Sequence, residues 1–502
     1  MLGYTLHAVL AKLAPKAAVG EMDDALAVCM PVIEADLLGE VAEEKEVAAI
    51  AAKMKETKRT RSYQSLELLA SRLTFKTHLG DLLTPVRNHL AAANSVKVRT
   101  KLEEALQHIA VGLMANPQLP FAELCVFVHA TVDDGLTADA TTAATALPAV
   151  GGQARRVGRP DANKAFAAPR GGGGRGGGAS AGASAGGGGG GGGGGRRSPP
   201  NYHLVMQFAL QLLHMALKRK AGANGLAAEG PMLAPLVALL SRGLESRRVP
   251  VVTYALKSLC LLVPLREANV ADEAEALCTR VFAMMSGVKT SSPLVQDGFK
   301  LVAALIRACP SYEMPDDNLN YLLETAFVDL EDQNNRSTTF SLLKAITSRK
   351  ILLPQVYDLM VVVAKHMVRS QQATVRQLCA QVFLGFLLDY PLGEKRLRQH
   401  LDFVVRNLAY EHASGREAVL SLVAAVVAKF PPPVLEEHAD SFFLSLVTRL
   451  VNETDARCRA LCGKVVCELL TQVRASAGVR YSGWLDGCPR GVLLGLNIQY
   501  PL

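Results

Sequence analysis

Val375-Arg-Gln-Leu-Cys-Ala-Gln-Val-Phe-Leu-Gly-Phe-Leu387 and Arg416-Glu-Ala-Val-Leu-Ser-Leu-Val-Ala-Ala-Val-Val-Ala-Lys-Phe430 decide the fold of this chain. In the first, Leu378, Cys379, Val382, Phe383, Phe386 and Leu387 recur three and four residues apart, the spacing of one helix face. In the second, Val419, Leu422, Val423, Val426, Val427 and Phe430 do the same. An arginine opens each stripe, and Arg336, Arg376, Arg416 and Arg457 follow one another at intervals of 40, 40 and 41 residues. A period of roughly 40–47 residues with two helices per unit is the signature of HEAT-type repeats. Each helix pair in such an array buries its apolar face only against its neighbours, so the chain grows by stacking.

The pattern extends in both directions. Second helices are expected to begin near Val251, Leu294, Arg336, Val375, Arg416 and Arg457, with first helices at Pro354–Val368, Glu394–Leu408 and Val434–Val451. Pro391-Leu392-Gly393 and Pro431-Pro432-Pro433 break the chain between them, and Asn452 to Asp455 is a cap candidate. Towards the N-terminus, amphipathic stretches run over Asp23–Asp36, Val41–Lys55, Tyr63–Phe75, Leu79–Ala92 and Val96–Met114. There Val98-Arg99 followed by Leu102, Leu106 and Ile109 repeats the pattern at Val375-Arg376. Strand signals are essentially absent. The expected fold is all-α, a solenoid of HEAT/armadillo-like helical repeats interrupted by a glycine-rich linker. The expected divisions are repeats over 1–147, a disordered Gly/Arg-rich linker over 148–200, about six helix pairs over 201–473, and an irregular tail over 474–502.

Half of the 42 glycines lie between Gly151 and Pro200, ten of them in one run from Gly186 to Gly195. Ordering such a segment costs too much backbone entropy, which makes it a flexible tether. It also carries +7 of the net charge of +8, so the helical parts are close to neutral. Any strong field is local. The 10 cysteines show no framework spacing, and Cys379, Cys458 and Cys462 sit on apolar stripes, which points to a reduced intracellular compartment. No stretch reaches the ~18 apolar residues of a membrane helix, and the N-terminus lacks the plan of a secretory signal. A soluble protein without membrane contact is expected.

The residues offer little chemistry. Gly182-Ala183-Ser184-Ala185-Gly186 matches a nucleophile elbow formally, but that motif needs a strand before it and a helix after it. Cys458, Cys462 and Cys467 have no histidine or fourth ligand close by, unlike zinc sites. No catalytic residue, cofactor, metal or small-molecule substrate is expected. Three basic clusters are candidate RNA or partner contacts: Lys53, Lys55, Lys58, Arg59 and Arg61; Lys218, Arg219 and Lys220; and Lys395, Arg396 and Arg398. Cations at helix C-termini are also favoured by the helix dipole, which explains the first two without a ligand. Arg170-Gly171 and Arg175-Gly176 suggest RGG-type segments but lack interleaved aromatics for stacking. The four ladder arginines could track an acidic ligand, yet arginines at inter-helix turns more often bond neighbouring acids or carbonyls and tie repeats together.

Between the ladder arginines stand Phe340-Ser-Leu-Leu-Lys-Ala-Ile-Thr-Ser-Arg-Lys350, Phe386-Leu-Leu-Asp-Tyr-Pro-Leu-Gly-Glu-Lys395 and Leu408-Ala-Tyr-Glu-His-Ala-Ser-Gly-Arg-Glu417. Earlier come Lys53-Met-Lys-Glu-Thr57, His108-Ile-Ala-Val-Gly-Leu113 and Leu212-Leu-His-Met-Ala-Leu-Lys-Arg219. Together these stretches resemble the C-terminal region of the DRIM (down-regulated in metastasis) family, the large HEAT-repeat component, number 20, of the small-subunit processome. The resemblance covers most of 21–130 and 201–473, and family members are several times longer, so the chain looks like a fragment or an abbreviated gene model. It implies a nucleolar, non-catalytic scaffold that binds pre-ribosomal RNA, small nucleolar ribonucleoprotein and processome proteins during maturation of small-subunit (18S) ribosomal RNA. Two other classes remain open: a protein-only HEAT adaptor for nuclear transport or phosphatase assembly, and the helical arm of a giant kinase.

Overall fold

The computed structural model describes residues 2–39, 61–145, 201–222, 230–265, 268–330 and 335–477 apart from 92 and 94, together with 225 and 332. The Val41–Lys55 stretch, the glycine-rich linker with its Gly182–Gly186 motif and its two Arg-Gly pairs, and the tail from 478 on lie outside the described residues. Among the described residues all regular structure is helical. The helices fall into two compact units, 1–288 and 289–502.

In the first unit the helices are α1 (Leu2–Leu13), α2 (Leu26–Leu38), α3 (Arg61–Arg72), α4 (Phe75–Leu82), α5 (Thr84–Leu90), α6 (Val96–Ala115), α7 (Phe121–Thr145), α8 (His203–Gly222), α9 (Gly230–Gly243), α10 (Val249–Leu262) and α11 (Ala274–Met285). Helices α1, α3, α6, α8 and α10 pack in succession as one layer; α2, α5, α7 and α9 lie against them, α4 packs on α2 and α5, and α11 packs on α9. Helix α6 shows why. Ser95 caps it by accepting from the Val98 N–H, and Leu102, Leu106, Ile109 and Leu113 then face inward, none more than 3% exposed. Gly112 sits where α6 meets α3 so closely that a Cβ would run into the Glu67 carbonyl oxygen. The single helix expected over Leu79–Ala92 is broken at Leu83 into α4 and α5, because Pro85, near the start of α5, cannot donate to the preceding turn. Helices α1 and α7 lie in the region expected to be helical repeats, but no amphipathic stretch was singled out for either. In α7 the alanine- and threonine-rich second half leaves little hydrophobic contrast to show the period.

In the second unit the order is α12 (Pro293–Ala308), α13 (Asp316–Asp329), α14 (Arg336–Ser348), α15 (Pro354–Arg369), α16 (Ala373–Asp389), α17 (Gly393–Asn407), α18 (Ala413–Lys429), α19 (Pro432–Asn452) and α20 (Ala456–Ala477). The second helices of the repeats, α12, α14, α16, α18 and α20, stack on one another in chain order, with the first helices α13, α15, α17 and α19 outside them. This is the two-layer plan of HEAT-type repeats. The stripe of α16 is buried from Val375 through Leu387, and that of α18 from Val419 through Val427. Phe383, Phe386 and Phe442 are among the largest fully buried side chains. Each such residue contributes about 1.5–3 kcal/mol through the area it removes from water. Pro432 and Pro433 occupy the first turn of α19, where no N–H is missed. Asp455 caps α20 by accepting from the Arg457 and Cys458 N–H groups at 3.0 and 2.9 Å.

Candidate functional site

The turn between the two helices of a repeat is closed by an arginine. Arg376 is the fourth residue of α16, and its Nη1 donates to the carbonyl oxygens of Ser370 and Gln371 at 2.8 and 3.1 Å. Arg416 is the fourth residue of α18 and reaches Tyr410 and Glu411 in the same way, at 2.9 and 2.8 Å. Each arginine thus binds the carbonyls six and five residues upstream, which the first helix leaves open at its end. In α20 the fourth residue is Arg459, and it donates to the Glu453 and Thr454 carbonyls at 2.6 and 3.4 Å. Arg457, the fourth ladder position read from the sequence, points outward and pairs with Glu417 at 3.2 Å. Arg336 is the first residue of α14 and reaches forward to Gln372 Oε1 and Thr374 Oγ1 at 2.6 and 2.8 Å.

Arg416 has a second set of partners. Its Nε and Nη2 donate to both oxygens of Glu453, at 2.9 and 2.7 Å, and Arg449 Nε donates to the same carboxylate at 2.7 Å. Glu453 also accepts from the Asp455 N–H at 3.0 Å. Its side chain is fully buried and that of Arg416 is 6% exposed. Burial alone would raise the Glu453 carboxyl, but the bonds from Arg449, Arg416 and the Asp455 N–H outweigh it and hold the group at about 2. Two further fasteners carry no ladder spacing. Arg349 donates to the carbonyls of Ile306, Cys309 and Pro310 at 3.2, 2.8 and 2.9 Å, and Tyr390 donates to the Ile351 carbonyl. Both lie within stretches that carry the family resemblance, which was the sequence signal for them.

The basic clusters disperse. Lys53, Lys55, Lys58 and Arg59 lie outside the described residues, and Arg61 donates to Gln64 at 2.7 Å. Arg219 binds the Met114 carbonyl at 2.7 Å, and Lys220 stands 4.6 Å from the Phe121 ring centroid. Arg396 lies 4.3 Å from the centre of the Tyr357 ring and Arg398 pairs with Glu437 at 3.0 Å. Lys218 and Lys395 stay exposed. Arg219, Lys220, Arg396 and Arg398 therefore tie helices together, each by about 0.5–1 kcal/mol at an exposed site. Cys458 and Cys462 donate to the Ala413 and Leu446 carbonyls, and burial is the first cause that pushes their thiols up, to about 11 and about 12. No group of residues able to hold a metal occurs among the described residues. The first unit has a concavity of about 1080 Å³ lined by residues that include Phe75, Leu79, Leu83, Phe127, Lys76 and Arg87.

What this two-layer array is similar to can be read from known proteins. The family profile described as the U3 small nucleolar RNA-associated protein 20 domain matches residues 1–132. U3 small nucleolar RNA-associated protein 20 of Schizosaccharomyces pombe is 26% identical over 470 residues, which is 93% of this chain. The chain is similar to this protein over nearly its whole length. The protein of that name from Saccharomyces cerevisiae agrees, at 25% identity over 475 residues and 94% of this chain. The chain spans 17% and 18% of the lengths of these two relatives. Among solved structures, a chain from the Kap95p–RanGDP complex is 12% identical with a TM-score of 0.45, covering 99% of this chain and 56% of that one. Importin beta is 14% identical with a TM-score of 0.41, covering 94% and 50%.

Proposed function

We propose that this chain is a non-catalytic helical-repeat scaffold of ribosome biogenesis, acting in the nucleolus within the small-subunit processome. It holds pre-ribosomal RNA and processome proteins so that small-subunit (18S) ribosomal RNA can mature. The observation that carries this reading is the match to U3 small nucleolar RNA-associated protein 20 along 93% of the chain, on both sides of the glycine-rich segment. The structure supports it by what the titratable groups do. The buried carboxylate Glu453 is spent on turn closure, and the thiols of Cys458 and Cys462 are held protonated first by burial and then by the Glu453 charge. Such a scaffold works by stacking repeats into a long surface. Affinity purification of the tagged chain from growing cells tests the proposal. Enrichment of small-subunit precursor RNA supports it. Recovery of transport-receptor complexes that dissociate with a small GTPase, without that RNA, contradicts it.

A further inference from the structure

Helices α6 and α8 of the first unit lie side by side and parallel. Asn201, just before α8, donates from Nδ2 to the Leu90 and Ala93 carbonyls, just before α6, at 3.0 and 3.1 Å. At the other end Arg219 of α8 donates to Met114 of α6. Helix α10 packs next to α8, and Arg248, the residue before its first turn, lies within electrostatic reach of His203, the first residue of α8. The starts of three successive inner helices therefore share one edge.

Arg99 is the fourth residue of α6, the position held by Arg376, Arg416 and Arg459 in the second unit. Those arginines close their turns on the carbonyl six residues upstream. The carbonyl six residues before Arg99 belongs to Ala93, and the amide of Asn201 takes it. Asn201 adopts a left-handed backbone (φ 66°), a conformation asparagine tolerates better than most residues. Arg99 is displaced from the fastening role, and its buried Nε has no hydrogen-bond partner. Arg247 and Arg248 are exposed at the same edge. Among the described residues no carboxylate pairs with Arg99, Arg247 or Arg248. His203, between them, is kept neutral down to about 4, first by burial and then by Arg248 and Arg99.

Asp134 acts on Tyr202 beside His203, as does Arg87, so cations outnumber acids at this edge, and an excess of like charge opposes folding unless something neutralises it. The charged groups are Arg99 on α6 and the adjacent Arg247 and Arg248 before α10, on either side of the neutral His203 of α8, so the edge offers spaced positive charges rather than one pocket. Spaced charges suit a polymer with a repeating anionic group, and arginine matches phosphate oxygens in a bidentate way. We propose that the edge formed by Arg99, His203, Arg247 and Arg248 binds the phosphodiester backbone of single-stranded RNA. The assignment rests on the RNA-scaffold reading above and names where that contact is made.

The test uses the full chain and a labelled single-stranded oligoribonucleotide, titrated by fluorescence anisotropy across salt concentrations. The double variant Arg99→Gln/Arg248→Gln should flatten the slope of log K against log salt by about 1.4, or about 0.7 per lost phosphate contact. Between 50 and 200 mM salt the unaltered chain should then lose about sevenfold more affinity than the variant. Melting temperature separates this from a structural effect: relieving unneutralised charge should leave it unchanged or raise it. A lowered melting temperature, or an unchanged slope with binding intact, overturns the site alone. Absence of RNA binding by the unaltered chain overturns the site and the RNA-scaffold reading together. Competition by polyglutamate as strong as by polyuridylate would identify an acidic protein surface as the ligand and overturn the assignment to RNA.

Discussion

Glu453→Ala is the substitution with the most predictable consequence. The carboxylate it removes accepts four hydrogen bonds, from Arg416 Nε and Nη2, Arg449 Nε and the Asp455 N–H, and is shielded from water. Removing it strands the Arg416 guanidinium, 6% exposed, without its counter-charge. Breaking a buried pair by deleting one partner costs about 3–5 kcal/mol. The titration gives a second measure of the same network. A carboxyl lowered from 4.5 to about 2 corresponds to about 3 kcal/mol favouring the folded state at neutral pH. Because the folded-state value is the depressed one, this stabilisation is complete above about pH 4.5 and is lost as pH falls towards about 2. Hydrogen exchange on peptides spanning α18 to α20 reads the effect locally, which matters because a long repeat array need not unfold in one step. The variant should exchange at least 100-fold faster there, since about 3 kcal/mol is two powers of ten. The paired change Arg416→Met/Glu453→Met should recover only part of the loss: it removes the stranded Arg416 charge, but the Tyr410 and Glu411 carbonyls, Arg449 and the Asp455 N–H still lose their partner. Protection in Glu453→Ala equal to that of the unaltered chain would refute the account of this network.

Gly112→Ala should loosen the α3–α6 contact, because the new Cβ meets the Glu67 carbonyl and the Ala70 methyl group; overpacking of this kind costs about 1–3 kcal/mol, read as a lower urea midpoint. Cys458 and Cys462 should react with iodoacetamide at pH 8 far more slowly than a free thiol, since their thiols are raised to about 11 and about 12; labelling of either at the rate of glutathione would count against the packing of α18 to α20.

The repeat was legible because burial and period coincide. Val382, Phe383 and Phe386 are apolar in the sequence and fully buried in the fold, and the same holds at Val419, Val423 and Val426. What the spacing alone left undetermined was the register of single polar residues. Arg457 and Arg459 stand two apart, and intervals of 41 or 43 residues fit a HEAT-type period equally. The choice is made by the first turn of α20, where Asp455 caps the helix and so makes Arg459 its fourth residue. The basic clusters illustrate the opposite limit. Adjacent cations such as Lys395, Arg396 and Arg398 look alike in the sequence, yet a helix points them 100° apart per residue, so one meets Tyr357, another Glu437 and the third solvent. The displacement of Arg99 depends on Asn201, which is 102 residues away across the glycine-rich segment. A contact of that separation leaves no trace in local pattern.

The central claim, a scaffold acting on small-subunit ribosomal RNA, is tested most directly by ultraviolet cross-linking of RNA to the tagged chain in growing cells, followed by sequencing of the attached fragments. The account predicts reads concentrated in the small-subunit precursor, including segments removed during its maturation, and their depletion in the Arg99→Gln/Arg248→Gln variant. Reads no more abundant than for an untagged control, or spread over messenger RNA in proportion to its abundance, would contradict it.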